Sequence, residues 1–441
     1  MYLSLADWRN RKAEPVAGAA PAFKLSRVIL ALGVVSLLTD VSSESVAAVL
    51  PLYITASLGL STIAYGFVDG IYQGISATVR IAAGWTADRT DSPKWIAFVG
   101  YGLSAAARIA LLMASGFASL AGVIAVDRFG KGIRTAPRDA LIRFAAQPEH
   151  IGRSFGVHRM LDTVGAALGP VLAFVILLAI PNGYHVVFVA SLAFAVIGVA
   201  VLGLFVPNDR RQPAVREEAS ARPARVRWRE LNTPAMRRIL AVAGVLGLLT
   251  VGDGFLYLVL QSRTAFAAEW FPLLYVGTNV AYLLLAIPMG RLADRWGRTR
   301  VFLAGHGALL AAYVSAVLPW AGFPATLATL VLLGTFYAAT DGVLAAVVGL
   351  LSPSHGAASG IAAAQTVVAV ARLIASTGFG LLWYAIGSQG AMWIVAGGLA
   401  LALPVAALLL RRADKASGRA DNAVGAEQSG RPAAQAEKTS S

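Results

Sequence analysis

The sequence predicts an all-α integral membrane protein with twelve transmembrane helices in two six-helix bundles. Three observations carry this. Hydrophobic residues make up 57% of the 441 positions and charged residues 14%, which leaves too little polar surface for a soluble globule. The stretch from Val301 to Thr340 contains no Asp, Glu, Lys or Arg, a length equal to about two bilayer crossings at roughly 20 residues each. Basic residues recur in alternate connections between apolar runs, as positive-inside topology requires.

Apolar runs bounded by turn or charge signals place helices at about 26–52, 62–87, 94–115, 118–142, 152–180, 184–206, 237–260, 268–293, 299–318, 325–351, 357–384 and 389–411. Runs of this length are helices, since a barrel strand needs only about ten residues. Arg9, Arg11, Lys12, Lys24 and Arg27 precede the first run; Arg89 and Lys94 follow the second; Arg138, Arg143 and Arg153 flank the fourth connection. The segment 207–238 holds nine Arg, Arg295, Arg298 and Arg300 follow the eighth helix, and Arg411, Arg412 and Lys415 follow the last. The opposite connections carry Arg263 alone. Both termini are therefore expected in the cytoplasm. The net charge of +14 is accounted for by this topology, so nucleic acid is not an expected partner.

The expected organisation is a cytoplasmic tail over 1–25, a first bundle over 26–206, a cytoplasmic linker over 207–236, a second bundle over 237–411 and a disordered cytoplasmic tail over 412–441. Pro207, Pro213, Pro223 and Pro234 mark the linker, whose Arg residues also suit anionic lipid head groups. Ala, Gly, Ser and mixed charge mark the tail. There is no Cys, and the five His are scattered, so no metal site or cofactor is expected. The first apolar run has no A-x-A-like cleavage site and continues past Asp40 and Glu44, unlike a signal peptide.

Two segments repeat. Gly84 to Arg89 closes the second helix and Gly290 to Arg295 closes the eighth, with four of six positions identical. Both read G-x-x-x-D-R. Glycine lets two helices approach closely, and the Asp and Arg pair with each other or with helix ends. Such a latch (Gly84, Asp88, Arg89; Gly290, Asp294, Arg295, Arg298) can hold one conformation and release in another. On the fifth helix, Gly165 and Gly169 permit tight packing and Pro170 bends the chain.

The second latch, with Gly297 and Arg298 following it, resembles the G-x-L-A-D-R-x-G-R signature of the major facilitator superfamily; the first departs from it after Arg89. Arg128 to Gly132 resembles the R-x-x-Q-G motif of drug/proton antiporters, with Lys131 in place of Gln, and Gly165 to Pro170 resembles their G-x-x-x-G-P motif. Thr39–Glu44 and Gly130–Ile142 resemble a poorly characterised prokaryotic branch of the superfamily. The resemblance covers about 25–412. It implies the twelve-helix major facilitator fold and alternating access between pseudo-symmetric halves; the protein is expected as a multi-pass protein of a prokaryotic plasma membrane that works as a monomer.

Ionised groups at membrane depth cost about 2.5–3.5 kcal/mol on insertion scales and face a cavity or pair with one another. Asp40 and Glu44 lie four apart on one helix face near the midplane. Two carboxylates this close favour retention of one proton, which suits proton coupling; a static bridge to Arg108, Arg128 or Arg159 is the other reading. Asp127, Lys131, Arg134 and Arg138 share a face of the fourth helix, as a charge relay or as a structural ladder. On the fifth helix, Arg159 and Asp162 join His158. Asp69 and Gln73 mark a cavity-facing stripe of the second helix. Asp253, between Gly252 and Gly254, marks a local break in the seventh that exposes backbone to a ligand. Asp341 and Arg372 either pair or contact substrate, and the second bundle is otherwise expected to offer a more apolar wall. The function expected is proton-coupled efflux of a small organic molecule, with protons and membrane lipids as the other partners. The alternative is uptake or exchange of an anionic metabolite held by Arg128, Arg159 and Arg372. No enzyme motif is found.

Overall fold

In the computed structural model, residues 26–87, 92–147, 150–208, 232–319, 322–352 and 357–428 are described. Helices α1 (Arg27–Leu52), α2 (Thr62–Ala87), α3 (Pro93–Met113), α4 (Phe117–Ala145), α5 (Ile151–Ala179) and α6 (Tyr184–Phe205) follow one another in the first half. Ser26 caps α1 by accepting from the Val28 amide at 3.3 Å. Pro51 removes one amide from the ladder near the end of α1, and the chain continues as a π-helical turn, Tyr53–Ser57.

The second half is more interrupted. The seventh predicted helix is two pieces, α7 (Pro234–Leu248) and α8 (Asp253–Thr264). The non-helical chain between them is strapped by Tyr313, whose hydroxyl donates to the Leu249 carbonyl at 3.2 Å and accepts from the Val251 amide at 2.8 Å. Then come a 3-10 turn (Ala268–Trp270), α9 (Pro272–Trp296) and α10 (Arg298–Val317). The tenth predicted helix is also split, into α11 (Phe323–Thr340) and α12 (Val343–Leu351), because Gly342 adopts φ +79, a left-handed turn that glycine permits. The last two predicted helices form α13 (Ala357–Gln428), whose limbs meet at Gly387 with φ 80 and ψ 167. The second limb runs on to Gln428, so the tail read as irregular from residue 412 begins as helix, helped by its Ala and Arg content. No strand occurs among the described residues.

Nine helical stretches among the described residues are long and apolar enough to cross a bilayer. Leu204, Leu284 and Leu401 are more than two-thirds exposed, as expected of side chains that face lipid tails rather than water. Within the first half α1 packs on α5, and α4 lies between α2 and α3; in the second, α7 and α10 pack on α13 and α11 on α9 and α10.

The halves meet mainly where α2 runs along the first limb of α13. This seam is backbone-close. A Cβ at Gly66 would sit 2.5 Å from the Ser376 carbonyl oxygen, one at Gly70 2.8 Å from that of Leu373, and one at Gly380 3.1 Å from the Thr62 carbonyl carbon. The Thr62 hydroxyl donates to the Gly380 carbonyl at 3.0 Å. A second crossing joins α5 to α9 and to the 3-10 turn before it, where the Phe174 and Trp270 rings lie 5.3 Å apart. Both crossings lie at the end of the bundles where α2 begins and α5 finishes, remote from the Arg-rich connections.

Candidate coupling and transport site

The α1–α5 seam builds the first cluster. A Cβ at Gly165 would fall 2.8 Å from the Leu37 Cα, and one at Gly169 2.7 Å from the Ser45 amide nitrogen and 2.9 Å from the Glu44 Cβ. Pro170 lies one residue beyond, inside α5. This approach brings Asp40 and Glu44 on α1 beside Asp162 on α5. The Asp40 carboxyl is within hydrogen-bonding reach of Asp162. The Ser36 hydroxyl donates to Asp162 at 2.6 Å. From α4, Lys131 places its Nζ 3.7 Å from both Asp40 and Glu44. From α2, the Tyr72 hydroxyl donates to Glu44 at 3.4 Å. The Asp40 side chain is 11% exposed, Glu44 27% and Lys131 31%, so the cluster is sheltered yet open on its Glu44–Lys131 side.

The guanidiniums named as static partners of Asp40 and Glu44 go elsewhere. Arg108 and Arg128 both pair with Asp127, Arg108 at 3.2 Å, and all three are almost fully buried. Arg108 also donates to Ser42 and Ser43, while Arg128 lies 3.9 Å over the Tyr72 ring. Arg159 reaches Asp162 at 3.7 Å from a side chain that is 72% exposed. The α4 row is thus divided: Asp127 closes a buried triad, Lys131 serves α1, Arg134 stacks 4.5 Å over Tyr101 on α3, and Arg138 donates to Ser36 and approaches Asp162 at 3.8 Å.

The second cluster sits where α2 meets the broken α7–α8 segment. Asp69, Gln73, Thr250, Val251, Gly252, Tyr337 and Arg372 line a narrow, partly open cleft of about 10 Å³. Gly252 is needed there, since a Cβ would lie 2.9 Å from the Asp69 carboxyl carbon. Ser376 on α13 donates to Asp69 at 2.5 Å, and Tyr337 on α11 donates to Asp253 at 2.6 Å. Asp341 is exposed and accepts from Tyr282 at 3.4 Å; among the described residues no ion pair joins it to Arg372. The expected apolar wall is instead rich in phenols, with Tyr257, Tyr275, Tyr313 and Tyr337 all within electrostatic reach of Asp253. Sequence reasoning passed over Tyr72, Tyr337 and Ser376. The available signal was tyrosine in mid-helix, away from the membrane interface where it is usual.

Of the first latch, Asp88 and Arg89 lie outside the described residues, as do the surroundings of Gly84. The second latch is open. Among the described residues nothing approaches within 4 Å of a Cβ at Gly290, Arg295 is exposed, and the ion pair of Asp294 is to Arg298, at 3.5 Å.

The Major Facilitator Superfamily profile matches residues 32–275 and 262–438. An uncharacterized MFS-type transporter of Methanocaldococcus jannaschii is 28% identical over 82% of this chain and 89% of its own length. The fosmidomycin resistance protein of Escherichia coli is 22% identical over 48% of this chain and 52% of its own. Among solved structures, the nucleoside transporter NupG superposes with a TM-score of 0.74 at 14% identity, covering 87% of this chain and 98% of that one. The peptide transporter POT in complex with sulfate gives 0.72 at 16% identity, covering 89% and 96%; both likenesses are of fold. A two-half helical membrane fold, charged groups gathered between helices and a profile that spans nearly all of the chain lead to one statement: this multi-pass membrane protein belongs to the Major Facilitator Superfamily of transporters.

Proposed function

We propose that the protein is a proton-coupled exporter of a small organic molecule, seated in a prokaryotic plasma membrane with both termini in the cytoplasm. The observation that carries this reading is the Asp40–Glu44–Lys131 cluster, with Asp162 behind it. Three carboxylates and one flexible ammonium share a partly open space inside the first bundle. A proton taken up there removes negative charge beside Lys131 and lowers the cost of moving the cluster through hydrocarbon. One charge carried through 100 mV contributes about 2.3 kcal/mol, roughly fifty-fold accumulation. With the Arg-rich connections on the cytoplasmic side, the packed α2–α13 seam is outermost, and we read this conformation as inward-facing. The open second latch agrees with that reading. Export is favoured over import by the fosmidomycin resistance protein among the relatives. Anion uptake fits less well: Arg128 is buried against Asp127, and Arg159 is largely exposed and reaches the Asp162 carboxylate.

The test is transport in inverted vesicles, with a panel of small organic compounds that begins with fosmidomycin. Asp40→Asn and Glu44→Gln should each cut pH-gradient-driven accumulation by about tenfold or more, the effect of losing roughly 1.4 kcal/mol of coupling, while substrate exchange without a gradient persists. Full gradient-driven transport by both variants refutes the coupling assignment.

A further inference from the structure

The Asp40–Glu44–Lys131 cluster has two sides. Glu44 and Lys131 form the more open one. The other runs towards the Arg-rich connections through Asp162, Ser36, Arg138 and Asp139. At a rise of about 1.5 Å per residue, counted from that end of each helix, Glu44 lies about 26 Å deep, Asp40 about 20 Å, Asp162 about 17 Å and Asp139 about 9 Å. Exposure follows depth along this row: the side chain is 11% exposed at Asp40, 18% at Asp162 and 44% at Asp139.

Contacts join these positions. Asp40 and Asp162 are within hydrogen-bonding reach, and two carboxyl groups share such a bond only when one of them carries a proton. Asp162 already accepts from Ser36 at 2.6 Å and has Arg159 and Arg138 at 3.7 and 3.8 Å, so the proton of the pair belongs to Asp40 and Asp162 is the acceptor. The same Arg138 guanidinium donates to the Ser36 hydroxyl at 3.2 Å and to the Asp139 carboxylate at 2.9 and 3.1 Å. One fixed cation thus spans a sheltered carboxylate and one that meets water. The other charged or titratable groups that face the row are Glu44 on α1, Tyr101 on α3, Lys131 and Arg134 on α4, and His158 and Arg159 on α5. His158 is buried, and its Nε2 makes no hydrogen bond among the described residues, so it does not interrupt the row.

We propose that Asp162 and Asp139, bridged by Arg138, form a proton outlet from Asp40 to the cytoplasm that lies wholly within the first half and leaves the Glu44–Lys131 side to substrate. The outlet deepens the reading of the cluster as the coupling site and rests on it. The proton passes from the Asp40 O–H to the Asp162 carboxylate, leaving Asp40 ionised beside Lys131. Asp162 releases it to water, and Asp139 takes it up as a carboxylic acid and hands it to the cytoplasm. Each transfer neutralises the acceptor and ionises the donor. Arg138 stays charged throughout and acts as a positioning residue. Proton and substrate then need no common passage, so a bound substrate does not seal the proton in.

The experiment needs no substrate, because the outlet also carries protons inward. The full chain in lipid nanodiscs receives a proton jump from a photolysed caged acid. Time-resolved infrared spectroscopy follows the carboxylic C=O band, and the part that is lost in Asp40→Asn reports Asp40. Asp139→Asn should slow the rise of that part about tenfold or more and leave its final amplitude unchanged. Arg138→Gln should slow it in the same way. Asp139→Glu, which keeps a carboxylate, should retain the unsubstituted rate. Added formate, a small diffusible carboxylate, should restore the rate in both slow variants, a rescue that general damage would not permit. An unchanged rate in Asp139→Asn or Arg138→Gln, a slow rate in Asp139→Glu, or slowing that formate does not relieve overturns the outlet. Absence of the Asp40 band at every pH removes the coupling reading and the outlet with it, whereas an Asp40 band indifferent to Asp139 removes the outlet alone.

Discussion

Asp127→Ala is expected to destabilise the protein by about 3–5 kcal/mol, the cost typical of breaking a buried ion pair by removing one partner. Asp127 is 1% exposed, and the two guanidiniums that share it are each 2% exposed. Removing the carboxylate leaves two like charges side by side with Ser42, Ser43 and the Tyr72 ring as their remaining contacts. Arg108 is already short of partners, since its Nη1 makes no hydrogen bond among the described residues. Replacing all three members with apolar residues of similar volume (Arg108→Met, Asp127→Leu, Arg128→Met) should restore much of the loss, because the desolvation cost leaves with the charges. Asp294→Ala is the contrasting case. Its carboxylate is 57% exposed and pairs with Arg298 at the start of α10, so the change should be within about 0.5 kcal/mol. Denaturant titration in detergent micelles measures all three. A loss below about 1 kcal/mol for Asp127→Ala would mean that the triad is solvated or unpaired in the folded protein.

The helices were legible because hydrocarbon imposes a minimum length and an apolar composition, and because basic residues mark alternate connections. The break after α7 was legible for a local reason: Gly252 and Gly254 flank a charged residue, and regular helix there has little to recommend it. The break between α11 and α12 was written in an equally short signal, Asp341 followed by Gly342, a pair that marks turns. It was overlooked because the surrounding run is long and apolar. The continuation of α13 past residue 412 went the other way: composition marked a disordered tail where helix formers carry the helix to Gln428.

The site was legible as an inventory but not as a set of pairings. Asp40, Glu44, Asp69, Asp127 and Asp253 stood out because ionisable residues are rare at membrane depth. Which base meets which acid depends on helix rotation and crossing, and one sequence does not encode these in any short window. Lys131 shows the difficulty. Its place on the α4 face was clear, yet nothing local tells that it turns to α1 while its neighbour Arg128 turns back on Asp127. The phenols were missed for a related reason: a tyrosine hydroxyl costs little to bury once it has a partner, so it leaves no anomaly in a hydropathy profile.

The two glycines of the α5 motif set up the second large effect. Gly165→Val and Gly169→Val should each cost about 3 kcal/mol or more, above the usual range for overpacking, because the obstructing atoms are backbone and cannot rotate away. At Gly165 the new Cβ meets the Leu37 Cα at 2.8 Å; at Gly169 it meets the Ser45 amide nitrogen at 2.7 Å. Relief requires α1 and α5 to separate, which draws Asp40 away from Asp162. Gly169→Val also displaces Glu44, whose Cβ lies 2.9 Å from the added atom, and so disturbs the 3.7 Å contact with Lys131. Gly156 lies on the same helix, exposed, and a Cβ added there would meet nothing within 4 Å among the described residues. Gly156→Ala should therefore be neutral or stabilise by about 0.5–1 kcal/mol through helix propensity. Unfolding in detergent separates the stability effects. Gradient-driven transport separates their consequences: Gly169→Ala, which adds the clashing Cβ alone and no bulk beyond it, should already lose coupling, because the cluster depends on the seam's spacing more tightly than the bundle does. If Gly165→Val and Gly156→Ala proved equally benign, α1 and α5 would not be in backbone contact, and the Asp40–Asp162 pairing that depends on that contact would have to be abandoned.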